Sequence, residues 1–287
     1  MLMLVLAALP FSACTSPTPD DPAETDLTAG SVAGAESEAG FVAVPALTFD
    51  MGSTPGQPDL GYGVHSVTLA NAYYVGVTEV TQGQFSAIMG YNPLVFTDCV
   101  GPDPFDCPVE SVSWYESAAY ANAVSGAAGL QECYVCTGLG TSVYCDVGPN
   151  PYDCTGYRLL TEAEWEGAAR CGTDTAYAGS HTSTDVAWTS ENSGASTHTV
   201  AGLEPNGCGI YDMSGNVWEW TQDWYGEYPT GMVTDPYGTS SGPHRVNRGG
   251  GWDYGGAGAP ISLRNSGYPV TSYYSIGFRV ARSIPDP

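Results

Sequence analysis

Lysine is absent from this sequence, and all seven of its basic residues are arginines. Its 31 acidic residues outnumber them and give a formal net charge of −24. Such a chain is repelled by nucleic-acid phosphates and has no basic patch for anionic lipid, so both are excluded as partners. The arginines all lie between Arg158 and Arg282. We therefore expect each of them to pair with a particular acid or carbonyl group inside the folded domain.

Long apolar runs are also scarce, and the one at the N-terminus is too short to span a bilayer. Residues 1–13 are apolar or small, as in a secretory signal peptide. Ser12 and Ala13 precede Cys14 as in a bacterial lipobox, so we expect Cys14 to be lipidated and to become the mature N-terminus. Phe11 in place of leucine, with no basic residue before the run, leaves plain secretion as the alternative. The prediction is an exported protein, a lipoprotein of the bacterial cell envelope (periplasm or outer membrane) or a secreted one.

Cysteine usage supports export independently. The chain has nine cysteines, and setting Cys14 aside leaves eight, an even number that in an exported protein predicts disulfides. The predicted pairs are Cys99–Cys107, Cys133–Cys154, Cys136–Cys145 and Cys171–Cys208. The four cysteines between Cys133 and Cys154 also have a spacing suited to a zinc ribbon, which is the alternative if their thiols stay reduced.

The chain divides into an acidic linker and one large domain. Residues 14–40 comprise the predicted lipidated cysteine and a small, acidic segment with too little apolar surface to fold, which predicts a flexible tether. Residues 41–282 form the predicted domain, and residues 283–287 a short tail. With 37 glycines, 21 prolines and 19 tyrosines, the composition indicates a loop-rich fold with short elements.

Short strands and three short helices are predicted inside this domain. Apolar and β-branched content indicates strands within 41–49 and 64–77, and an alternating pattern indicates another over 275–282. Each helix start is marked by a capping box, a hydroxyl residue followed three positions later by Glu or Gln. The boxes are Thr81 with Gln84, Ser113 with Glu116 and Thr161 with Glu164, and Gly90 and Gly172 are the predicted ends of the first and third helices.

The stretch Gly209–Trp220 combines a turn with two acids and two tryptophans. Its Gly-Asn pair predicts a sharp turn, and the alternation that follows predicts a strand with aromatic residues on one face and Val217 and Glu219 on the other. The carboxylates of Asp212 and Glu219 and the carbonyls of Gly215 and Val217 then converge on a short path. Hard oxygen ligands of this kind suit calcium. The alternative is a buried turn whose acids cap backbone amides or pair with arginine.

Several ordered motifs, taken together, carry a family resemblance. They are Met51-Gly-Ser53, Val77-Thr-Glu-Val-Thr81, Pro108-Val-Glu-Ser-Val-Ser-Trp114, Tyr157-Arg-Leu-Leu-Thr-Glu-Ala-Glu-Trp165, Gly209-Ile-Tyr-Asp-Met-Ser-Gly-Asn-Val-Trp-Glu-Trp220, Arg245-Val-Asn-Arg-Gly-Gly-Gly-Trp252 and Gly277-Phe-Arg279. In this order they resemble the sulfatase-modifying-factor family, whose best-known members are the formylglycine-generating enzymes. The resemblance covers 41–282 and implies an α+β domain of the formylglycine-generating-enzyme fold, which is C-type-lectin-like, loop-rich and low in regular secondary structure.

The resemblance also implies a structural calcium ion. The family's ligands match the Asp212 and Glu219 carboxylates and the Gly215 and Val217 carbonyls, the same atoms that the residues alone suggest. A further calcium site of the family falls within 186–194, where no ligand is assigned.

The family's chemistry does not carry over in the same way. Formylglycine-generating enzymes oxidise a cysteine of a client sulfatase with oxygen and copper, and two thiolates hold the copper because copper(I) prefers soft ligands. The first thiolate position falls at Tyr254 and the second near Ala259, and no cysteine follows Cys208. The sequence therefore predicts that copper is not bound, and it offers no catalytic residue from the family.

No other catalytic motif stands in for the missing thiolates. The four histidines are not spaced as metal ligands, and the sequence has neither a nucleophile elbow nor a phosphate-binding glycine loop. The region that replaces the copper pocket contains Trp252, Asp253, Tyr254 and Arg264. Aromatic side chains beside an acid and an arginine are suited to bind a peptide or a sugar. The same residues also suit the ordinary core and rim of the fold.

These observations predict an exported, lipid-anchored domain that binds a protein or carbohydrate ligand without the copper chemistry. The alternative is an oxidoreductase of the same family that oxidises a protein residue through a non-standard site. A purely structural envelope component is the third possibility.

Overall fold

A computed structural model describes residues 39–54, 58, 60–93, 99–148 and 150–284. The predicted signal peptide, Cys14, nearly all of the linker and the last residues of the tail lie outside these ranges. The strands are β1 (Phe41–Val44), β2 (Leu47–Met51), β3 (His65–Leu69), β4 (Tyr73–Gly76), β5 (Tyr134–Thr137), β6 (Tyr144–Val147), β7 (Tyr157–Leu159), β8 (Ala187–Trp188), β9 (Ser214–Gly215), β10 (Trp218–Trp224), β11 (Val233–Thr234), β12 (Arg245–Arg248), β13 (Arg264–Gly267), β14 (Ile276–Phe278) and β15 (Val280–Ser283). The helices are α1 (Gln82–Met89), α2 (Trp114–Ala127), α3 (Glu162–Arg170) and the single turn α4 (Ser183–Val186).

Helix and strand contents are 20% and 27%, so the domain is α+β and rich in loops, as predicted. Within the described ranges, no helix combines the length and the apolar character needed to cross a membrane.

The three predicted capping boxes start the three longer helices. At each start the hydroxyl side chain accepts a hydrogen bond from the third backbone N–H, and the side chain at that third position accepts one from the cap residue. Gly90 ends α1 in the left-handed conformation, as predicted. Helix α3 ends after Arg170, as predicted, and both Cys171 and the predicted stop residue Gly172 have left-handed backbone angles.

Each of the extended runs predicted from the sequence is divided into two strands, 41–49 into β1 and β2 and the other two as follows. The run 64–77 is interrupted at residues 70–72, so that β3 joins β2 and β11 while β4 joins β1 and β15. The run 275–282 is interrupted at Arg279, so that β14 pairs in parallel with β10 while β15 pairs antiparallel with β4 and β7. Arg279, which lies between β14 and β15, therefore directs its side chain into the space between these two sheets.

Strand β10 lies between two hydrophobic clusters. Its Trp218 and Trp220 belong to one cluster, which they share with Trp114 of α2 and Phe278 of β14. The second cluster is built around Trp165 of α3. Glu219 points away from the two tryptophans, which is the alternation that the sequence predicts.

Disulfides connect the cysteines in the predicted pairs, Cys99–Cys107, Cys133–Cys154, Cys136–Cys145 and Cys171–Cys208. The two nested bonds hold the β5–β6 hairpin, in which Cys136 and Cys145 face each other. The bond between Cys171 and Cys208 ties the end of α3 to the start of the acidic turn. No described cysteine is left as a free thiol, which excludes the alternative of a zinc ribbon.

Candidate functional site

The predicted sharp turn is held by a buried acid that the sequence analysis did not identify. Gly215 and Asn216 both have left-handed backbone angles, with φ of 77° and 59°. The Asn216 side-chain amide donates to Glu79 Oε2 at 3.0 Å, and the backbone N–H of Val217 donates to Glu79 Oε1 at 3.2 Å. The sequence contained a signal for this role, because Glu79 is the one charged residue of the motif Val77–Thr81. A charged side chain needs a partner when it is buried.

Glu219 is fully engaged by nitrogen donors. Arg279 donates to its Oε1 at 2.6 Å and to its Oε2 at 2.7 Å, and the Trp165 indole N–H also donates to Oε2 at 2.7 Å. Neither side chain of this ion pair is exposed to solvent. Glu219 therefore matches the alternative prediction, in which an acid of the turn pairs with an arginine.

Asp212 lies in the same corner without an ion pair among the described residues. Its Oδ2 accepts a hydrogen bond from the backbone N–H of Ala201 at 2.7 Å. Burial raises the pKa of Asp212 to about 6, against the lowering effects of that N–H and of Arg279. Burial, followed by the charges of Asp212 and Glu219, raises the pKa of Glu79 well above its ordinary value. Among the described residues, Arg279 thus lies beside three buried acids, Glu79, Asp212 and Glu219.

The predicted calcium ligands fit an ion only in part. Asp212 carries a buried carboxyl without a cation, which suits an incoming metal ion. Three N–H groups already bind the two oxygens of Glu219, which leaves one lone pair, on Oε1, for a metal ion. No group of three or more His, Cys, Asp or Glu side chains is arranged around a metal position within the described ranges. Calcium at Asp212, Gly215, Val217 and Glu219 stays a prediction.

At the positions where the family places its copper thiolates, the structure has an exposed ring and a buried methyl group. Tyr254 is 47% exposed, and Ala259 is 1% exposed. The two residues flank a short 3₁₀ helix, Gly256–Gly258. Their side chains offer no soft ligand for copper.

An aromatic cavity of about 270 Å³ opens beside Tyr254. It is lined by Trp218, Asp253, Tyr254, Asn265, Ser266, Tyr273, Tyr274, Ser275 and Ile276. We call this space the aromatic cavity. Its rim is aromatic and partly exposed, since Tyr273 and Tyr274 are 44% and 42% exposed.

Two buried polar atoms of the aromatic cavity lack a partner in the described part of the chain. They are the indole nitrogen of Trp218, a donor, and Oδ1 of Asp253, an acceptor. The charge of Asp253 also raises the pKa of the Tyr274 hydroxyl. A donor and an acceptor at the wall of a cavity with aromatic edges are suited to hydrogen-bond a polar ligand.

The four predicted pocket residues do not meet in one place. Asp253 and Tyr254 line the aromatic cavity, while Trp252 is buried next to it with its ring 5.6 Å from the ring of Tyr274. Arg264 turns to the other side of β13, where its guanidinium donates to Glu162 at 2.6 and 2.8 Å. There it lines a separate cavity. The alternation of side chains along β13 explains the difference, because the next residue, Asn265, is the one that faces the aromatic cavity.

The expected pairing of arginines with internal acids is confirmed for most of them. The ion pairs among the described residues are Arg158–Glu164, Arg170–Glu166, Arg170–Asp174, Arg248–Glu162, Arg248–Glu166, Arg264–Glu162 and Arg279–Glu219. Arg245 meets the same expectation through a carbonyl group, because it donates to the Gln222 carbonyl at 2.6 Å, and it lies over the ring of Trp224.

A comparison with family models matches residues 28–284 to the "Sulfatase-modifying factor enzyme 1-like domain". Among curated proteins, the chain is 34% identical over 224 residues to the chaperone protein LppX of Paenibacillus barcinonensis, covering 67% of this chain and 72% of that one. It is 36% identical over 146 residues to a formylglycine-generating enzyme of Streptomyces coelicolor, covering 44% of this chain and 46% of the enzyme.

Among solved structures, Treponema denticola variable protein 1 superposes with a TM-score of 0.75 at 33% identity. The superposition covers 84% of this chain and 94% of that protein. The formylglycine-generating enzyme, in contrast, is matched over less than half of its length.

Proposed function

The chain belongs to the sulfatase-modifying-factor family, and from that premise we propose that it is an exported, lipid-anchored binding module that lacks the family's copper chemistry. The ligand, a protein or a carbohydrate, contacts the aromatic cavity. The observation that carries the proposal is that this cavity has two buried hydrogen-bonding atoms without a partner in the described part of the chain and lies beside Tyr254, the position to which the family resemblance assigns a copper thiolate.

The state of the cysteines supports the loss of oxidase chemistry. All eight described cysteines are in disulfides, and no cysteine follows Cys208 in the sequence. A copper ion beside Tyr254 would therefore find no thiolate in the second half of the domain. The disulfides also support export, because such bonds persist in oxidising compartments. Lipidation at Cys14 remains part of the proposal and is tested by labelling with a radioactive fatty acid.

The character of the aromatic cavity supports binding. Tyrosine and tryptophan supply large contact areas at low entropic cost and have a polar group at one end, so they are frequent in protein and sugar recognition. Here two exposed tyrosines, Tyr254 and Tyr274, line the cavity together with the buried Trp218 and the half-buried Asp253. The hydrogen-bonding groups at the base then select a ligand whose donor and acceptor match them.

The alternative oxidoreductase is tested directly. The purified protein is mixed with Cu(I), oxygen and a peptide that contains Cys-x-Pro-x-Arg, and the peptide is followed by mass spectrometry. We expect no mass change. Conversion of the cysteine to an aldehyde would overturn the binding-module proposal in favour of a non-standard oxidase site.

Binding is tested by retaining envelope components on the immobilised protein. We expect Tyr254→Ala to reduce retention at least tenfold, while Tyr144→Ala leaves it unchanged. Tyr144 is a matched control because it is 48% exposed but lies on the β5–β6 hairpin. Protease and periodate treatment of the extract distinguish a protein from a carbohydrate ligand. Equal retention by both variants would contradict a role for the aromatic cavity.

A further inference from the structure

A second cavity, of about 470 Å³, opens at the other end of β10 from the aromatic cavity. Its walls include Asp223, Trp224, Tyr228, Tyr237, Gly238 and Arg264. We call it the acidic cavity. None of the residues that line it lines the aromatic cavity, so it is a separate place on the molecule.

Two charged groups in the acidic cavity already satisfy each other. Arg264 donates to both oxygens of Glu162, at 2.8 and 2.6 Å, and its remaining nitrogen donates to the Gly226 carbonyl at 2.8 Å. The Tyr228 hydroxyl donates to the same Glu162 at 3.0 Å. This pair therefore offers little to an incoming ligand.

Asp223 is different, because it is a buried acid without a cation. It is 4% exposed and takes part in no ion pair among the described residues. Its Oδ2 accepts one hydrogen bond, from the backbone N–H of Glu162 at 2.8 Å, whereas its Oδ1 accepts none in the same set. Burial, followed by the charge of Glu162, raises the pKa of Asp223 well above its ordinary value. Glu162, Glu164, Glu166 and Glu219, in contrast, each have an arginine partner.

Two aromatic rings in the wall of this cavity already have an arginine side chain over one face. The guanidinium of Arg264 lies 4.0 Å from the centre of the Tyr228 ring, and that of Arg245 lies 3.5 Å from the ring of Trp224. The faces of such rings attract positive charge. Tyr237, which is 43% exposed, supplies a further ring at the opening, and the exposed Glu227 adds a negative charge there.

We propose that the acidic cavity binds a primary ammonium group carried on an apolar stem, the chemistry of a lysine side chain. The ammonium ion pairs with Asp223, and the stem lies against the aromatic rings. The chain contains no lysine, so no ammonium side chain of its own competes for the place. A neutral sugar fits less well, because Glu162 and Arg264 are engaged with each other and leave few open polar partners. This proposal does not depend on a ligand in the aromatic cavity.

The test uses the whole protein, with n-pentylamine as the probe and pentan-1-ol as its uncharged counterpart, in isothermal titration calorimetry. We expect the amine to bind and the alcohol to bind at least tenfold more weakly. Asp223→Asn, which removes the charge and keeps an oxygen for the Glu162 N–H, should weaken amine binding at least tenfold. Asp174→Asn is the charge control, since it removes one charge at a residue that is 77% exposed and does not line the acidic cavity, and it should leave amine binding unchanged.

Each other outcome overturns the proposal. Equal binding of the alcohol would remove the ammonium from the explanation, and loss of amine binding in both variants would reduce it to general attraction by the net negative charge. Absence of amine binding, or binding of a neutral oligosaccharide that depends on Asp223, would also refute it. If Asp223→Asn does not fold, the comparison of amine with alcohol on the unaltered protein, with Asp174→Asn as the charge control, decides the question.

Discussion

Asp212 and Glu219, which the family resemblance assigns to one calcium ion, have different surroundings. Glu219 is held by Arg279 and Trp165, whereas Asp212 accepts one backbone hydrogen bond and has no arginine partner within the described ranges. Removing one member of a buried ion pair costs about 3–5 kcal/mol whether or not a metal binds. A substitution at Glu219 therefore mixes two effects, and Asp212 is the better probe for calcium.

We expect a chelator to lower the melting temperature of the protein, because an ion that binds only the folded state stabilises it by mass action. Asp212→Asn should abolish this sensitivity, while Asp174→Asn, at a residue that is 77% exposed, should preserve it. Differential scanning calorimetry with and without EDTA measures both effects. A melting temperature that the chelator leaves unchanged would assign Asp212 to backbone capping alone.

At the scale of elements, the turn before β10 depends on the absence of a side chain. Gly215 has a φ of 77°, and a Cβ placed there would overlap the carbonyl oxygen of Trp188 on β8. Gly209, at the start of the same stretch, has a φ of 79° and no atom within 4 Å of such a Cβ. The two glycines thus share a backbone conformation and differ in their surroundings.

We therefore expect Gly209→Ala to destabilise the fold by about 1–2 kcal/mol, the cost of a left-handed alanine. Gly215→Ala should cost about 1–3 kcal/mol more, because β8 must also move. Urea unfolding of the two variants and the unaltered protein measures this difference. Equal losses would show that β8 yields freely and does not hold the turn.

Local sequence patterns predicted the helix starts, the turn and the alternation along β10, because capping boxes and glycine conformations depend on neighbouring residues. They did not predict that 275–282 divides at Arg279, since an alternating pattern looks the same in one sheet as in two. They also did not predict that Arg264 lies away from the aromatic cavity. Its place beside Glu162 depends on contacts between β13 and α3, which are distant in sequence.

Across the whole molecule, negative charge is in large excess, and part of it is buried. The net charge of −24 makes the compact state repel itself at neutral pH. The raised pKa of Asp223 also lowers the stability of the folded state at neutral pH. An acid whose pKa is raised on folding contributes stability that is present below its unfolded pKa, about 4, and is lost as pH rises through the folded pKa. Each unit of such a rise is equivalent to about 1.4 kcal/mol.

We expect the melting temperature to rise as pH falls from about 8 to about 5, and added salt to raise it more at the higher pH because salt screens the repulsion. Asp223→Asn should reduce the pH dependence, since a neutral amide does not titrate. Asp174→Asn removes a surface charge without affecting a buried acid and should keep most of the dependence. Calorimetry at several pH values, at low and high salt, separates the two contributions. If the pH dependence of Asp223→Asn equalled that of Asp174→Asn, the effect would belong to the net charge and to the other buried acids, Glu79 and Asp212, and the ionisation of Asp223 would not oppose folding.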